Sequence, residues 1–141
     1  MASPVRSMVI VRYYEDGRPW DAEVIADPTW DAVELAVRQM DDNLRPIVLL
    51  SPERFGSSDE AFEDDDAFNV IGGAGPYALF QTAGEWRYED PNGGTEKVRL
   101  WQSDQGYFCQ ERNVITDVEK VLRIVRVYYD SGTYEGLDTV R

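Results

Sequence analysis

The residue types that most often perform catalysis are scarce in this chain. Histidine is absent, which excludes the usual general base, the serine and cysteine triads that depend on histidine, and zinc sites with a histidine ligand. The one cysteine, Cys109, cannot form an intrachain disulfide or a cysteine-rich metal cluster. Because it lies in the apolar run Tyr107-Phe108-Cys109, we interpret it as a buried structural thiol and not as a nucleophile. We therefore expect no enzyme, no cofactor and no metal site.

Two short patterns resemble ligand-binding motifs but lack the context those motifs require. Gly73 to Ala78 fits the dinucleotide fingerprint G-x-G-x-x-A, which needs a helix directly after it to hold the pyrophosphate. The residues that follow, Pro76 to Phe80, favour an extended segment, so we interpret the glycines as a tight hairpin. The Asp64-Asp65-Asp66 cluster lacks the spaced ligands, central glycine and final glutamate of a calcium loop.

A dense run of carboxylates is the most distinctive polar feature of the sequence. Periodicity is lost from Glu53 to Ala67, and six of the eight positions from 59 to 66 are acidic: Asp59, Glu60, Glu63, Asp64, Asp65 and Asp66. Mutual repulsion opposes their burial, so we predict an exposed loop. One interpretation is a solvated loop with no further role. The other is that the carboxylates imitate a phosphate backbone and occupy the basic groove of an enzyme that acts on nucleic acid.

Charge and composition narrow the class of partner. The 141 residues carry 27 acidic and 14 basic side chains, a formal net charge of −13; such a field repels nucleic acid and anionic membranes and attracts basic partners. Hydrophobic residues make up 43% of the chain and aromatics 12%, enough for one folded domain over residues 1–141. The apolar stretch from Met8 to Val11 is too short for a signal peptide, and no segment is long enough for a bilayer span. We predict a cytoplasmic protein.

The first part of the chain predicts a β-hairpin followed by a helix. Apolar residues alternate from Val9 to Tyr14, Asp16-Gly17 supplies a turn, and residues 20–25 extend again. Asp27 then has the position of an N-cap, with Pro28 as the first helical residue. The helix is predicted to end near residues 42–43, and its apolar positions recur every three or four residues: Trp30, Val33, Val37 and Met40.

Short apolar runs separated by turn residues predict an antiparallel meander in the middle of the chain. The runs are residues 68–73, 77–82, 86–89, 97–101 and 107–110, and they follow a short apolar run at residues 46–50 that predicts a buried strand. In Val98-Arg99-Leu100 the alternation places Arg99 on the face opposite the two apolar residues. We therefore expect a sheet that is solvated on one side.

The last part of the chain predicts a second amphipathic helix. Thr116 and Glu119 have the spacing of a capping box, and apolar residues then follow a helical period to Tyr129. Gly132 is the predicted C-terminal cap, and residues 137–140 are a predicted last short strand. The predicted fold class is α+β: an antiparallel meander sheet packed against two amphipathic helices, one near the N-terminus and one near the C-terminus.

Aromatic and acidic residues near the predicted turns suggest two kinds of binding surface. Carboxylates together with four tryptophans would suit a carbohydrate site: Trp20, Trp30, Trp86 and Trp101. Exposed aromatics beside acids are also typical of protein interfaces, where Trp and Tyr are enriched at hot spots. We favour the interface, and its predicted members in this region are Trp86, Tyr88, Asp90, Trp101 and Asp104.

The second half of the chain resembles the family called immunity protein one, from bacterial polymorphic toxin systems. The resemblance spans roughly residues 46–137 and is carried by four segments in order: Val70 to Tyr77, Trp86 to Pro91, Leu100 to Phe108, and the helix from Val118 to Gly132. It implies an α+β inhibitor, made in the cytoplasm beside a secreted toxin, that protects the producing cells by binding the toxin domain. Such toxins include nucleic-acid deaminases and nucleases.

These observations lead to one hypothesis and two alternatives. We predict an immunity protein that inhibits a cognate toxin by blocking its basic active-site groove, either with the acidic run or with the acidic and aromatic surface. Its partner is then a protein, and neither a nucleic acid nor a membrane; the oligomeric state is not predicted. The first alternative is a carbohydrate-binding or carbohydrate-active domain that uses the same aromatics and acids. The second is an acidic adaptor unrelated to toxins.

Overall fold

A computed structural model of the chain describes residues 3–103 and 106–140. The strands in these ranges are β1 (Ser7–Arg12), β2 (Asp21–Ala26), β3 (Ile47–Ser51), β4 (Phe68–Gly72), β5 (Tyr77–Gln81), β6 (Lys97–Leu100), β7 (Tyr107–Gln110) and β8 (Val114–Ile115). The helices are α1 (Trp30–Arg38), α2 (Ser58–Phe62) and α3 (Val118–Ser131), with 3₁₀ turns at Glu111–Asn113 and Leu137–Val140. This composition confirms the predicted α+β class.

Six of the strands form one antiparallel sheet in the order β2-β1-β3-β4-β5-β8. The two central strands, β3 and β4, are buried along their whole length, because both faces of the sheet are covered. The predicted N-terminal hairpin is confirmed by the pairing of β1 with β2. The glycine-rich turn is a hairpin between β4 and β5, in which a Cβ at Gly73 would lie 2.4 Å from the backbone of Met40.

Helices α1 and α3 pack side by side on the first face of the sheet. Both are amphipathic, and their buried residues join sheet residues such as Met8, Leu50 and Phe68 in the largest hydrophobic cluster. The guanidinium of Arg38 on α1 donates to the carboxylate of Glu119 on α3 at 2.7 Å. These are the two amphipathic helices that the periodicity predicts.

The second face of the sheet is also covered, so the expectation of a solvated face is wrong for the main sheet. Within the described ranges, strands β6 and β7 pair with each other and with no strand of the main sheet, and the meander is therefore not continuous. Their apolar side chains, including Val98 and Leu100, pack on residues such as Val11 and Ile71, while Arg99 faces away and is exposed. Helix α2 covers another part of this face through the buried Ala61. The alternation of residues 98–100 correctly predicts the solvated face of the small sheet alone.

The N-caps of both helices lie one or two residues after the predicted ones, and α1 ends well before the predicted residues 42–43. Thr29 caps α1 by accepting the N–H of Ala32, and α1 ends at Arg38. Asp27 instead has a φ of 47° and pairs with Arg54 at 3.0 Å. Asp117, and not Thr116, caps α3. Gly132 is confirmed as the C-terminal cap, with a left-handed φ of 69° that glycine adopts without strain.

Three further segments differ from the predicted elements. The acidic run is not wholly a loop, because Ser57 caps a short helix over Ser58–Phe62. Residues 86–89 form only an isolated bridge from Arg87 to Phe80. Residues 137–140 form a 3₁₀ turn, not a strand, in which Leu137 is fully buried under α3.

Candidate functional site

An aromatic cleft of about 440 Å³ lies on the second face of the sheet, between α2 and the β6–β7 hairpin. Its floor consists of side chains from β1, β3 and β4: Val11, Ile47, Asn69 and Ile71. Six aromatic side chains complete the lining: Tyr13, Trp20, Phe62, Phe80, Trp101 and Tyr107. This volume is in the usual range for a binding site, and a mostly apolar lining is typical of one.

The aromatic rings of the cleft contact one another and fix its shape. Phe80 and Tyr107 stack with centroids 4.6 Å apart and planes 2° from parallel. On the opposite side, Trp20 meets Phe62 edge to face at 5.8 Å. Tyr13 connects the two sides, with centroids 6.3 Å from Trp20 and 6.4 Å from Trp101. Because Trp20 is 45% and Phe62 37% exposed, this pair forms the open rim of the cleft.

Among the described residues that line the cleft, Asn69 is the one with a side-chain amide, and it is 8% exposed. Its NH2 group donates to the Thr82 hydroxyl at 2.7 Å and approaches the carbonyls of Ala67 and Phe80 at 3.2 and 3.4 Å. These contacts hold the amide against the strand backbone. The floor of the cleft is therefore a fixed and largely apolar surface.

Trp101 reaches the cleft from a left-handed backbone conformation, with a φ of 60°. A bulky residue rarely adopts this region, and the surrounding structure must hold it there. Asp42 does so by accepting the Trp101 N–H at 2.7 Å. The indole N–H of Trp101 is buried and has no hydrogen-bond acceptor among residues 3–103 and 106–140.

Half of the predicted acidic run lies on or directly after α2, the helix whose Phe62 lines the cleft. Asp59, Glu60 and Glu63 are all exposed, and Asp59 precedes Phe62 by three residues, which makes them neighbours on the helix surface. Glu60 accepts the N–H of Gly56 at 2.8 Å. The carboxylate of Asp59 therefore neighbours an exposed aromatic ring that lines the cleft, and Glu63 follows that ring in sequence.

The rest of the run serves the fold. The carboxylate of Asp64 accepts the Ser51 hydroxyl at 2.6 Å and the N–H of Asp66 at 3.1 Å. Asp66 accepts the side-chain amide of Gln81 at 3.0 Å, and its carbonyl accepts the Tyr134 hydroxyl. Asp64 and Asp66 line a separate polar pocket beside the end of α3. Asp65 between them is exposed.

The second predicted surface is divided by the sheet. Trp86 and Tyr88 pack on the first hydrophobic cluster and Trp101 on the second, so they do not form one surface. The expected exposure of Tyr88 is wrong: it is 3% exposed, and its hydroxyl accepts from Lys120 at 2.9 Å. Trp86 is half-buried against Phe68, and its indole N–H reaches Asp138 at 3.4 Å.

Of the two remaining predicted residues, Asp90 does not line the cleft. Asp90 is half-buried and accepts the N–H of Asn92 at 2.9 Å, an arrangement typical of a turn. Asp104 lies outside the described residues. Of the predicted interface residues, Trp101 is in the cleft, and Asp59, Glu60 and Glu63 lie on or directly after α2, which contributes Phe62 to it.

Five aromatic residues of the cleft were not predicted as interface members: Tyr13, Trp20, Phe62, Phe80 and Tyr107. Of these five, Trp20 was predicted as a possible sugar-stacking residue because it is a tryptophan. The local sequence carries a weak signal for Phe62, since it is a single aromatic residue among acids in a segment without periodicity. For the other three residues, strand alternation predicts a face but not what covers it.

Burial suppresses ionisation of the thiol and phenol groups near the hairpin. It raises the pKa of the Cys109 thiol, although the guanidinium of Arg87 opposes the shift. It also raises the pKa of the Tyr107 phenol. A raised thiol pKa lowers the thiolate fraction at neutral pH. The expectation that Cys109 is buried is wrong, because the residue is half-buried and lines a shallow pocket of the β6–β7 hairpin.

Potential metal ligands are dispersed in the described part of the chain. Across residues 3–103 and 106–140, no three cysteine or carboxylate side chains converge in a geometry that would hold a metal ion. In the same ranges, no helix combines the length and the apolar character needed to cross a membrane.

Comparison with known proteins gives a likeness of fold alone. No protein-family model matches the chain, and no curated protein matches it. The chain is similar to a solved structure described as a hypothetical protein from Neisseria gonorrhoeae, with a TM-score of 0.55 over 94% of both chains and 7% sequence identity. At that identity the similarity concerns the arrangement of helices and strands and carries no function.

Proposed function

We propose that this chain is a cytoplasmic immunity protein that binds and inhibits a toxin domain of a bacterial polymorphic toxin system. The toxin is a deaminase or nuclease acting on nucleic acid, and the chain covers its basic active-site groove. The observation that carries the proposal is the junction at α2, where the exposed Phe62 and Trp20 rings meet and the exposed carboxylate of Asp59 lies one helical turn before Phe62.

Each half of this junction contributes a different property to binding. Exposed aromatic rings beside a cleft supply the desolvated contacts that dominate interface energies. The carboxylates, together with a net charge of −13, accelerate encounter with a basic surface and orient it. A toxin that binds the phosphate backbone of a nucleic acid must present such a basic surface. The resemblance of residues 46–137 to immunity protein one supports the same class of partner.

The direct test is neutralisation of a toxin encoded next to this chain. The C-terminal domain of an adjacent polymorphic toxin should arrest growth when expressed alone and should lose that effect when this chain is co-expressed. The purified pair should form a complex in which deamination or cleavage of nucleic acid is blocked. A neighbouring toxin domain that this chain neither binds nor neutralises would overturn the proposal.

A charge-matched pair of variants tests the role of α2. The variant Asp59→Asn, Glu60→Gln, Glu63→Gln should associate more slowly with the toxin, and its association rate should depend less on salt. The control Asp31→Asn, Glu85→Gln, Glu135→Gln removes the same number of exposed charges elsewhere. Equal rates for the two variants in stopped-flow measurements would place the interface away from α2.

The aromatic cleft also leaves a carbohydrate as the second candidate ligand, because aromatic faces stack on sugar rings. Against it, Asn69 is the one amide in the lining, and its NH2 group is held by neighbouring groups of the fold. Saturable glycan binding that is lost in Trp20→Ala and Trp101→Ala would favour the carbohydrate over the toxin.

A further inference from the structure

We infer that the aromatic cleft receives one large apolar side chain from a loop of the partner protein, flanked in that loop by lysine or arginine. The inference rests on the proposed function and deepens it, because it specifies which part of a basic partner this chain recognises. Three properties of the cleft carry the argument: its rigidity, its lining and the charge at its rim.

The cleft is formed before any partner binds. Its floor is the paired backbone of β1, β3 and β4, and one side is the parallel stack of Phe80 on Tyr107. Trp101 is anchored by Asp42 through its backbone N–H. A preformed cavity saves the ordering cost that binding otherwise imposes on mobile side chains.

The lining favours an apolar occupant. None of the ten residues that line the cleft in the described part of the chain carries a charge, and the Asn69 NH2 group is already bound to Thr82. A charged group inside would lose its hydration without a charged partner to replace it. An aliphatic or aromatic side chain would bury its surface against the rings without such a cost.

The charge at the rim favours basic residues on either side of that occupant. Asp59 lies one helical turn before Phe62 on one side of the cleft, and the carboxylate of Asp42 accepts the backbone N–H of Trp101 on the other. The same charge argues against a second copy of this chain, since two acidic rims would face each other across the contact. A basic loop with a central apolar residue is complementary to both rim and interior.

Selection of random peptides on the immobilised protein tests the inference without knowledge of the toxin. Enriched sequences should share an aliphatic or aromatic residue flanked by Lys or Arg. A synthetic peptide of that sequence should bind about tenfold or more weakly to Trp20→Ala and to Phe62→Ala. Its affinity should change less than about twofold in Leu35→Ala and Phe108→Ala, which remove apolar side chains outside the cleft that are more exposed than Trp20 and Phe62.

Several results would overturn the inference. They are the absence of any enriched sequence, a consensus without basic residues, and binding that Trp20→Ala and Phe62→Ala leave intact. Dimerisation of the wild-type chain in analytical ultracentrifugation that Phe62→Ala abolishes would assign the cleft to a second copy.

Neutralisation assays separate failure of this inference from failure of the proposed function. If Trp20→Ala and Phe62→Ala still neutralise the toxin at wild-type potency, the cleft is not the contact while the immunity function stands. If peptides bind the cleft but the chain neutralises no adjacent toxin, the immunity function fails and recognition of a basic apolar segment remains.

Discussion

Asp42 and Trp101 are held together in left-handed backbone conformations, with φ angles of 66° and 60°. The Asp42 carboxylate accepts the Trp101 N–H at 2.7 Å, and the Asp42 carbonyl accepts the N–H of Gln102 at 2.8 Å. Aspartate tolerates this conformation because its short side chain bonds nearby backbone groups, whereas tryptophan does not. The contact therefore joins the turn after α1 to the end of β6 and sets the position of a ring in the aromatic cleft.

We expect Asp42→Ala to lower the free energy of unfolding by about 1–3 kcal/mol, because a half-buried N–H loses its acceptor and alanine is strained at this φ. Asp42→Asn should cost less, since asparagine keeps an acceptor oxygen and tolerates positive φ. Urea unfolding followed by tryptophan fluorescence measures both. Asp31→Ala, at an exposed position on α1, is the control, and equal effects of alanine and asparagine at position 42 would contradict this account.

Neighbouring carboxylates in the acidic run should differ in their effect on stability. Asp64→Ala removes the acceptor of the fully buried Ser51 hydroxyl, so we expect a loss of about 1–3 kcal/mol in the free energy of unfolding. Asp65→Ala changes an exposed side chain and should remain within about 0.5 kcal/mol of wild type. Thermal and urea unfolding compare the two. Equal losses would mean that the run acts only through its total charge.

Alkaline pH should destabilise the protein through Tyr128. Burial, with a smaller contribution from Asp64, raises the pKa of this phenol above its ordinary value of 10.0. The unfolded chain therefore releases the proton first, and the stabilisation that is complete below about pH 10 is lost as the pH rises, by up to about 1.4 kcal/mol per pH unit. Tyr128→Phe should show a shallower decline above that pH in urea titrations. Parallel declines for the two proteins would exclude Tyr128 as the cause.

Cys109 should react slowly with thiol reagents in the folded protein. Burial raises its pKa and Arg87 lowers it, so at about pH 8 the rate of reaction with a disulfide reagent should be below that of an unstructured cysteine peptide. Arg87→Gln should slow the reaction further. In concentrated urea both proteins should react at the peptide rate. A folded-state rate above that of the peptide would instead indicate an activated thiol.

Periodicity predicted most of the elements, and local chemistry was less reliable for their ends. The helices around Val33 and Val125 were predicted because their apolar residues follow the helical period over several turns. The predicted N-caps were wrong by one or two residues, because Asp27 and Thr116 are residue types as suitable for capping as the observed caps, Thr29 and Asp117. The short helix α2 was missed because it has five residues, too few for a hydrophobic period to emerge.

The exposure of the carboxylates on and after α2 was predicted correctly, because repulsion between neighbouring charges acts over a few residues of sequence. Asp59, Glu60 and Glu63 are exposed as expected, since carboxylates in a dense run resist burial. The grouping of Trp86 and Tyr88 with Trp101 was wrong because alternation along a strand predicts two faces but does not identify which face meets which layer. Tyr88 has polar neighbours in sequence and is nevertheless buried beneath α3.

The sequence by itself determined the α+β class, the strong negative charge and the absence of histidine chemistry, because these depend on composition and on periods within a few turns. Only the tertiary structure decided that rings from residues as distant as Tyr13 and Tyr107 line one cleft. The packing of the β6–β7 hairpin and α2 on the same face of the sheet brings these rings together. Contacts of this kind depend on strand order and layer packing, which no local pattern of residues specifies.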